Sequence, residues 1–193
     1  MKIEKIEERV QKAMDDKRYR HTLGVAYTAA SMAMVFDVDI QQAYTAGMLH
    51  DCAKQLGDEK LLKLSEKYNI EFSDCERKNP FLLHAKVGSA LAQDKYKVDD
   101  ADIISAIRWH TTGKENMSKL EQIIFLADYI EPGRNKVKEL PEIRKAAFEN
   151  LDECCFMVLD NMLRYLSEKG GDIDPPTRSA YNYYKDIHEN KTK

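Results

Sequence analysis

Histidine and aspartate recur in this chain on helical faces that are otherwise apolar, and that conflict restricts what the chain can fold into. His21 is followed at helical spacing by Gly24, Val25 and Thr28, and His50 is preceded by Ala43, Ala46 and Gly47. His84 shares a face with Val87, Gly88 and Leu91, His110 with Ile103, Ala106 and Ile107, and Asp128 with Ile124 and Phe125. Residues three or four apart on a helix are neighbours, so each of these polar groups points toward core. An imidazole or carboxylate buried without a partner is costly. Taken singly, each histidine reads as a hydrogen-bonded core residue, and Asp128 as a buried acid paired with an Arg or Lys. Taken together, His21, His50, Asp51, His84, His110 and Asp128 read as one cation site. Imidazole nitrogen and carboxylate oxygen suit iron, manganese or zinc, whereas magnesium is unusual with this much imidazole.

The remaining pattern is helical as well. With 8 Gly, 5 Pro and no clear alternating run, strands have little support, and the fold class expected is all-α, with eight to ten helices in a single domain. Ile3, Ile6, Val10 and Ala13 form one stripe; helices should then run from about Arg18 to Phe36 and from about Ile40 toward His50, with Asp39 as N-cap. Asp58 is expected to cap the next helix. Pro80 opens a segment through His84 to about Lys95, and Asp99 or Asp100 starts the one that carries His110. Ser118 with Glu121 is a capping-box pattern. Pro141 marks the start of helix extending to about Lys169, stopped by Gly170–Gly171, and a last helix follows Pro175–Pro176. The metal-ligand core should span about 18–130 and the C-terminal helices 141–190.

Charge and cysteine content narrow the class. Thirty basic against 33 acidic residues give a formal charge of −3, which argues against the basic face that nucleic-acid binding usually needs. A small anionic substrate remains compatible, because bound cations supply positive charge locally. No run approaches the roughly 18 apolar residues that span a bilayer, and the N-terminus alternates charge with Ile and Val, unlike a signal peptide. Cys52, Cys75, Cys154 and Cys155 form no CxxC pair, so neither a disulfide framework nor a thiolate zinc site is expected. The chain reads as a reduced cytoplasmic protein, and a homodimer is compatible with it.

The His50–Asp51 doublet carries further information. Adjacent helical residues diverge by about 100°, so both reach one cavity only at a helix end. There the two oxygens of one carboxylate can bridge two metals. Four His and two Asp suffice for a two-metal site, which can generate hydroxide and clamp a phosphoryl group in flight.

The order His, His-Asp, His, His, Asp resembles the HD-domain superfamily of metal-dependent phosphohydrolases. The segments HTLGV at 21–25, MLHDCAK at 48–54, LLHAKVG at 82–88, AIRWHTTG at 106–113 and LADYIEPGR at 126–134 resemble its YqeK-like branch from about residue 18 to 165. That resemblance implies a dinuclear site with two metal ions, iron first and manganese second. His21, His50, Asp51 and Asp128 would hold one metal, and Asp51 would bridge to a second held by His84 and His110. It also implies symmetrical hydrolysis of diadenosine tetraphosphate to two ADP by a hydroxide lying between the metals. The loop after Arg134, NKVKEL, departs from the pattern in lacking a Pro-Gly turn, which bears on the substrate wall.

Around the ligands, Lys54 follows Asp51 by three residues and is expected to contact a phosphate or protonate a leaving group. Arg20, Arg108 and Arg134 adjoin ligand segments and are candidates to grip phosphate by bidentate bonds. Thr111, Thr112 and Gly113 suit a loop of hydroxyl and backbone donors, although Gly113 alone would explain a helix stop. Glu131 either orients a ligand or pairs with Arg134, and Trp109 packs. His188 is expected to be solvated, and the three tyrosines of TRSAYNYYK to pack the last helix. Two rival readings stand beside this one: another HD-type nucleotidase or phosphodiesterase, and a non-catalytic metal-bound nucleotide sensor.

Overall fold

Eleven α-helices and one 3₁₀ turn account for the regular structure of a computed structural model that describes residues 1–135, 137 and 139–191. Among the described residues there is no strand. The helices are α1 (Ile3–Ala13), α2 (Asp16–Val35), α3 (Ile40–Leu49), α4 (Asp58–Lys67), α5 (Asp74–Lys78), α6 (His84–Asp94), α7 (Ala101–Trp109), α8 (Lys119–Ile130), α9 (Leu140–Ala146), α10 (Leu151–Lys169) and α11 (Pro175–Lys191), with the 3₁₀ turn at Pro80–Leu83. Among the described residues no helix is long and apolar enough to cross a membrane.

The caps explain most of these boundaries. The Asp39 side chain accepts from Gln42 N–H, that of Asp100 accepts from Asp102 and Ile103 N–H, and Ser118 with Glu121 forms the expected reciprocal box. Gly170 closes α10 in the left-handed region at φ 63°, where glycine carries no Cβ penalty. Three expectations need correction. Asp58 lies inside α4, and Gly57 is its N-cap. The helix expected from Pro141 to Lys169 is two helices, because the Asn150 side chain accepts from Glu153 N–H and starts a new one. The five-residue α5, held by its own capping box of Ser73 and Glu76, takes the helix count above the expected range. Of the loop after Arg134, residues 136 and 138 lie outside the described residues.

A central group of α2, α3, α7 and α8 packs together, with α6 against α7 and with α10 and α11 behind α8. One core is continuous from Ile6 and Val10 through Val25, Ile107 and Ile124 to Val158 and Tyr184. Cys154 and Cys155 are buried within it as free thiols. The Tyr184 hydroxyl accepts Met117 N–H at 3.0 Å, which ties α11 to the start of α8. His188, expected to be solvated, instead stacks on Phe156 at 4.4 Å between ring centroids and lies 2.8 Å from Glu153 Oε2. The polar tail stays helical to Lys191 and packs on α10, which leaves the ring half-buried against that helix.

The close crossing of α2 and α3 sets the spacing of the site. A Cβ on Gly47 would lie 2.7 Å from the Ala26 Cα, a backbone atom that cannot swing aside. Gly47→Ala should therefore force the two ligand-bearing helices apart at a cost of about 1–3 kcal/mol. A thermal melt should show a midpoint roughly 3–10 °C lower. An unchanged midpoint would mean that the crossing tolerates a methyl group.

Candidate metal centre

Five elements bring the six polar residues to one point. His21 lies in the second turn of α2, and Asp128 near the end of α8. His50 is the C-cap of α3 and Asp51 the residue after it, so the doublet enters the cavity from a helix end. His84 is the first residue of α6, directly after the 3₁₀ turn, and His110 is the C-cap of α7.

Helix ends also fix the imidazoles. The last carbonyls of a helix lack intrahelical donors, and three of the histidines use one three residues back. Nδ1 of His50 lies 2.6 Å from Gly47 O, that of His84 2.6 Å from Phe81 O, and that of His110 2.7 Å from Ile107 O. His21, inside a helix, places Nδ1 3.1 Å from Glu131 Oε1. With Nδ1–H donating in all four, every Nε2 carries a lone pair, and all four face the two aspartates.

Asp51 lies between two imidazole pairs. Its Oδ1 is 3.3 Å from His84 Nε2 and 3.5 Å from His110 Nε2, while Oδ2 is 3.7 Å from His50 Nε2 and 3.9 Å from His21 Nε2. Asp128 Oδ1 faces His21 Nε2 at 3.1 Å and His50 Nε2 at 4.0 Å. Ligand atoms of His21, His50 and Asp51, of His50, His110 and Asp128, and of Asp51, His84 and His110 converge within 4.8 Å in each group.

This donor set fits metal ions. His21 Nε2 and His50 Nε2 are buried without a hydrogen bond, even though the first lies close to a carboxylate oxygen. Nε2 of His84 and His110 lie 3.3 Å apart, with lone pairs on both and the Thr111 hydroxyl beside them at 3.2 and 3.1 Å. The Thr111 hydroxyl and Lys54 Nζ, 3.2 Å from His84 Nε2, supply one donor to each of these two, whereas the His21 and His50 nitrogens have none. A cation on each side of Asp51 would satisfy all.

Burial pushes the Asp51 and Asp128 pKa values up, but the surrounding histidines outweigh it and hold both carboxyls well below the usual range. Burial takes His50 down to about 4 and lowers His84 too, so both are neutral at pH 7. At His21 burial pulls down, but Asp128 and Glu131 raise the value on balance.

The surrounding residues divide into two flanks. Beside His21 lies a cavity of about 1160 Å³, lined among others by Lys17, Arg18, Arg20, Glu131 and Arg134; drug-sized ligands commonly occupy roughly 300–1,000 Å³. Arg134 donates through Nη2 to Asp128 Oδ1 at 2.7 Å and through Nε to Asp128 O at 3.0 Å. On the other flank, Lys54 Nζ lies 3.2 Å from His84 Nε2, with its pKa lowered by burial, next to the Thr111 hydroxyl.

Other expected substrate residues lie elsewhere. Arg108 lines a separate cleft of about 380 Å³ with Tyr68 and Lys86, and its guanidinium lies 5.6 Å from the Trp109 ring. Thr112 donates to Gly113 O and Gly113 adopts φ 64°, which is the geometry of a helix stop. Glu131, by contrast, does border the cavity, buried with one oxygen on His21 Nδ1 and the other on Gly133 N–H. Gly24 makes room for it, since a Cβ there would stand 2.7 Å from Glu131 Oε2.

Two residues escaped the sequence reading. Arg18 Nη1 donates to Asp51 Oδ2 at 2.7 Å; its position three residues before His21 on the same helix was the available signal. Arg144 donates to the carbonyls of Ile130, Glu131 and Arg134, each at 2.9 Å, and clasps the turn that presents Glu131 and Arg134. Nothing local in the sequence marks that role.

Glu131→Gln should leave the fold intact and weaken metal binding about 10–100-fold, because the His21 imidazole loses its charged anchor. Titration against a competing chelator would measure it. Affinity equal to that of the unaltered protein would remove Glu131 from this role.

This geometry is that of a helical hydrolase core, and a family model for the HD domain matches residues 18–133. The chain belongs to the HD domain family. Among its relatives, a protein of Staphylococcus aureus named symmetrical bis(5'-nucleosyl)-tetraphosphatase is 33% identical over 186 residues, 95% of each chain. A protein of the same name from Bacillus subtilis is 36% identical, covering 90% of this chain and 92% of its own. The crystal structure of a Clostridium acetobutylicum protein described as a predicted HD superfamily hydrolase involved in NAD metabolism matches with a TM-score of 0.93. It is 40% identical, over 97% of this chain and 98% of that one.

Proposed function

We propose that the chain is a metal-dependent phosphohydrolase that splits diadenosine tetraphosphate at its central anhydride into two ADP. The observation that carries this reading is Asp51, whose two oxygens each face a different pair of imidazole lone pairs. The relatives named as symmetrical tetraphosphatases, aligned along nearly the whole chain, support the substrate.

In this reading His21, His50, Asp51 and Asp128 hold one metal, and Asp51, His84 and His110 the second, with iron the first choice and manganese the next. When bound, the metals activate water and offset the charge that develops on the phosphoryl oxygens. The protein does the rest. Asp51 and Asp128 stay ionised, and the anchored Nδ1 groups keep each Nε2 aimed inward. Arg20 and Arg134 bind phosphate oxygens from the cavity wall, where one adenosine diphosphate half lies. Lys54 and Thr111 contact the departing half on the other flank, and Lys54 holds the proton that the leaving phosphate takes up. The protein acts in the cytoplasm, on nucleotides rather than nucleic acids.

The test is product identification with metal-loaded, anaerobically purified protein. Two ADP from each diadenosine tetraphosphate is the expected result. ATP plus AMP would overturn the central-anhydride register, and faster turnover of cyclic or single nucleotides would favour another HD-type activity.

A further inference from the structure

We infer that Arg144 is a positioning residue for the metal centre, holding in place the turn from which Glu131 anchors the His21 imidazole. The inference rests on the proposed reading of the cluster as a metal site, and extends it to a residue whose hydrogen bonds reach none of the six ligands. Helix α8 ends at Ile130, and Glu131 leaves it with ψ 152°. The carbonyls at such an end lack intrahelical donors. Arg144 supplies them from α9: Nε–H donates to Ile130 O, and Nη2 to both Glu131 O and Arg134 O, each at 2.9 Å. A cation at a helix C-terminus is also favoured by the helix dipole. Among the described residues, every other hydrogen bond of the 131–134 backbone stays within the turn or the last turn of α8.

Small displacements of this turn matter, because the Glu131 carboxylate sits in a tight slot. A Cβ on Gly24 would stand 2.7 Å from Oε2, and one on Gly133 2.9 Å from both oxygens. Oε1 lies 3.1 Å from His21 Nδ1, near the long end of a good hydrogen bond, so it has little distance to lose. The other three imidazoles do not depend on the turn, since each is anchored by a carbonyl three residues before it. Arg144 therefore bears on the His21 side of Asp51 and not on the side of His84 and His110. Its own base is firm: Ile143 is fully buried, and the Cys154 thiol donates to Ile143 O at 3.4 Å, which seats α9 on α10. A planar guanidinium meets three carbonyls at once, whereas a lysine ammonium is a point charge on a flexible stem.

The experiment titrates manganese(II) against a competing chelator in the unaltered protein, Arg144→Met, Glu131→Gln and the double variant. Arg144→Met should weaken one of two manganese ions about 10-fold and leave the other unchanged. In the double variant the loss should match that of Glu131→Gln alone, since a residue that acts through Glu131 then has nothing further to remove. Arg144→Lys should fall between Arg144→Met and the unaltered protein. Losses that multiply in the double variant would overturn the inference, as would equal weakening of both ions. So would a Met variant that melts earlier yet binds both ions with unaltered affinity, the mark of a merely structural clasp. If Arg144→Met does not fold, Arg144→Lys and its combination with Glu131→Gln carry the same comparison. A protein that binds no manganese would remove the metal reading and this inference together. Two ions bound with equal affinity by the unaltered and Met proteins would remove this inference alone.

Discussion

Asp51→Asn should lose one metal per chain and lower turnover by on the order of 10³-fold or more, since a two-metal site reduced to one loses the paired clamp on the phosphoryl group. The substitution changes almost no volume, but it removes the charge and turns one oxygen into an amide NH2. The carboxylate offers Oδ1 to His84 and His110 and Oδ2 to His21 and His50. An amide can accept on one side only, and on the other it presents hydrogens to a pair of imidazoles already used as donors through Nδ1. Metal analysis alongside turnover checks this, and retention of both metals with full activity would exclude Asp51 as the bridge.

Stripping the metals should have the second large effect, on stability. Four imidazoles and two carboxylates are held within a few ångströms, with two Nε2 atoms buried and unpaired. Cations that bind only this folded arrangement stabilise it by mass action: about 4 kcal/mol per site at a free concentration a thousand times the dissociation constant. For a chain of this length that corresponds to roughly 8–16 °C. An excess of chelator should lower the melting midpoint by about 10 °C or more, and iron(II) should restore it while magnesium should not. A midpoint indifferent to chelation would mean that the cluster holds no metal in the folded protein.

How far the sequence reveals this molecule depends on the range of each interaction. Histidines on apolar faces were legible because periodicity reports which side of a helix is buried, and the six ligands do converge. The Ser118–Glu121 box and the stop at Gly170 were legible because caps are local. The break between α9 and α10 was not, since no Pro or Gly stands between Ala147 and Asn150 and the Asn150 cap alone makes the new start. Nor was α5, too short to show a period. Glu131 could not be assigned because its choice between His21 and Arg134 is made by tertiary packing, in the space that Gly24 leaves. Arg108 misled for a related reason. It lies two residues before His110, and two residues along a helix turn it about 200°, toward the cleft with Tyr68 and Lys86. Arg18, three residues before His21 rather than two, does reach the cluster.

The bridging role proposed for Asp51 joins two metals through one carboxylate. Anomalous diffraction from crystals of anaerobically purified protein, collected at the iron edge, tests it directly. Two peaks about 3.5–4 Å apart are expected on either side of Asp51, one beside His21 and His50 and the other beside His84 and His110. A single peak, or peaks away from Asp51, would contradict the account.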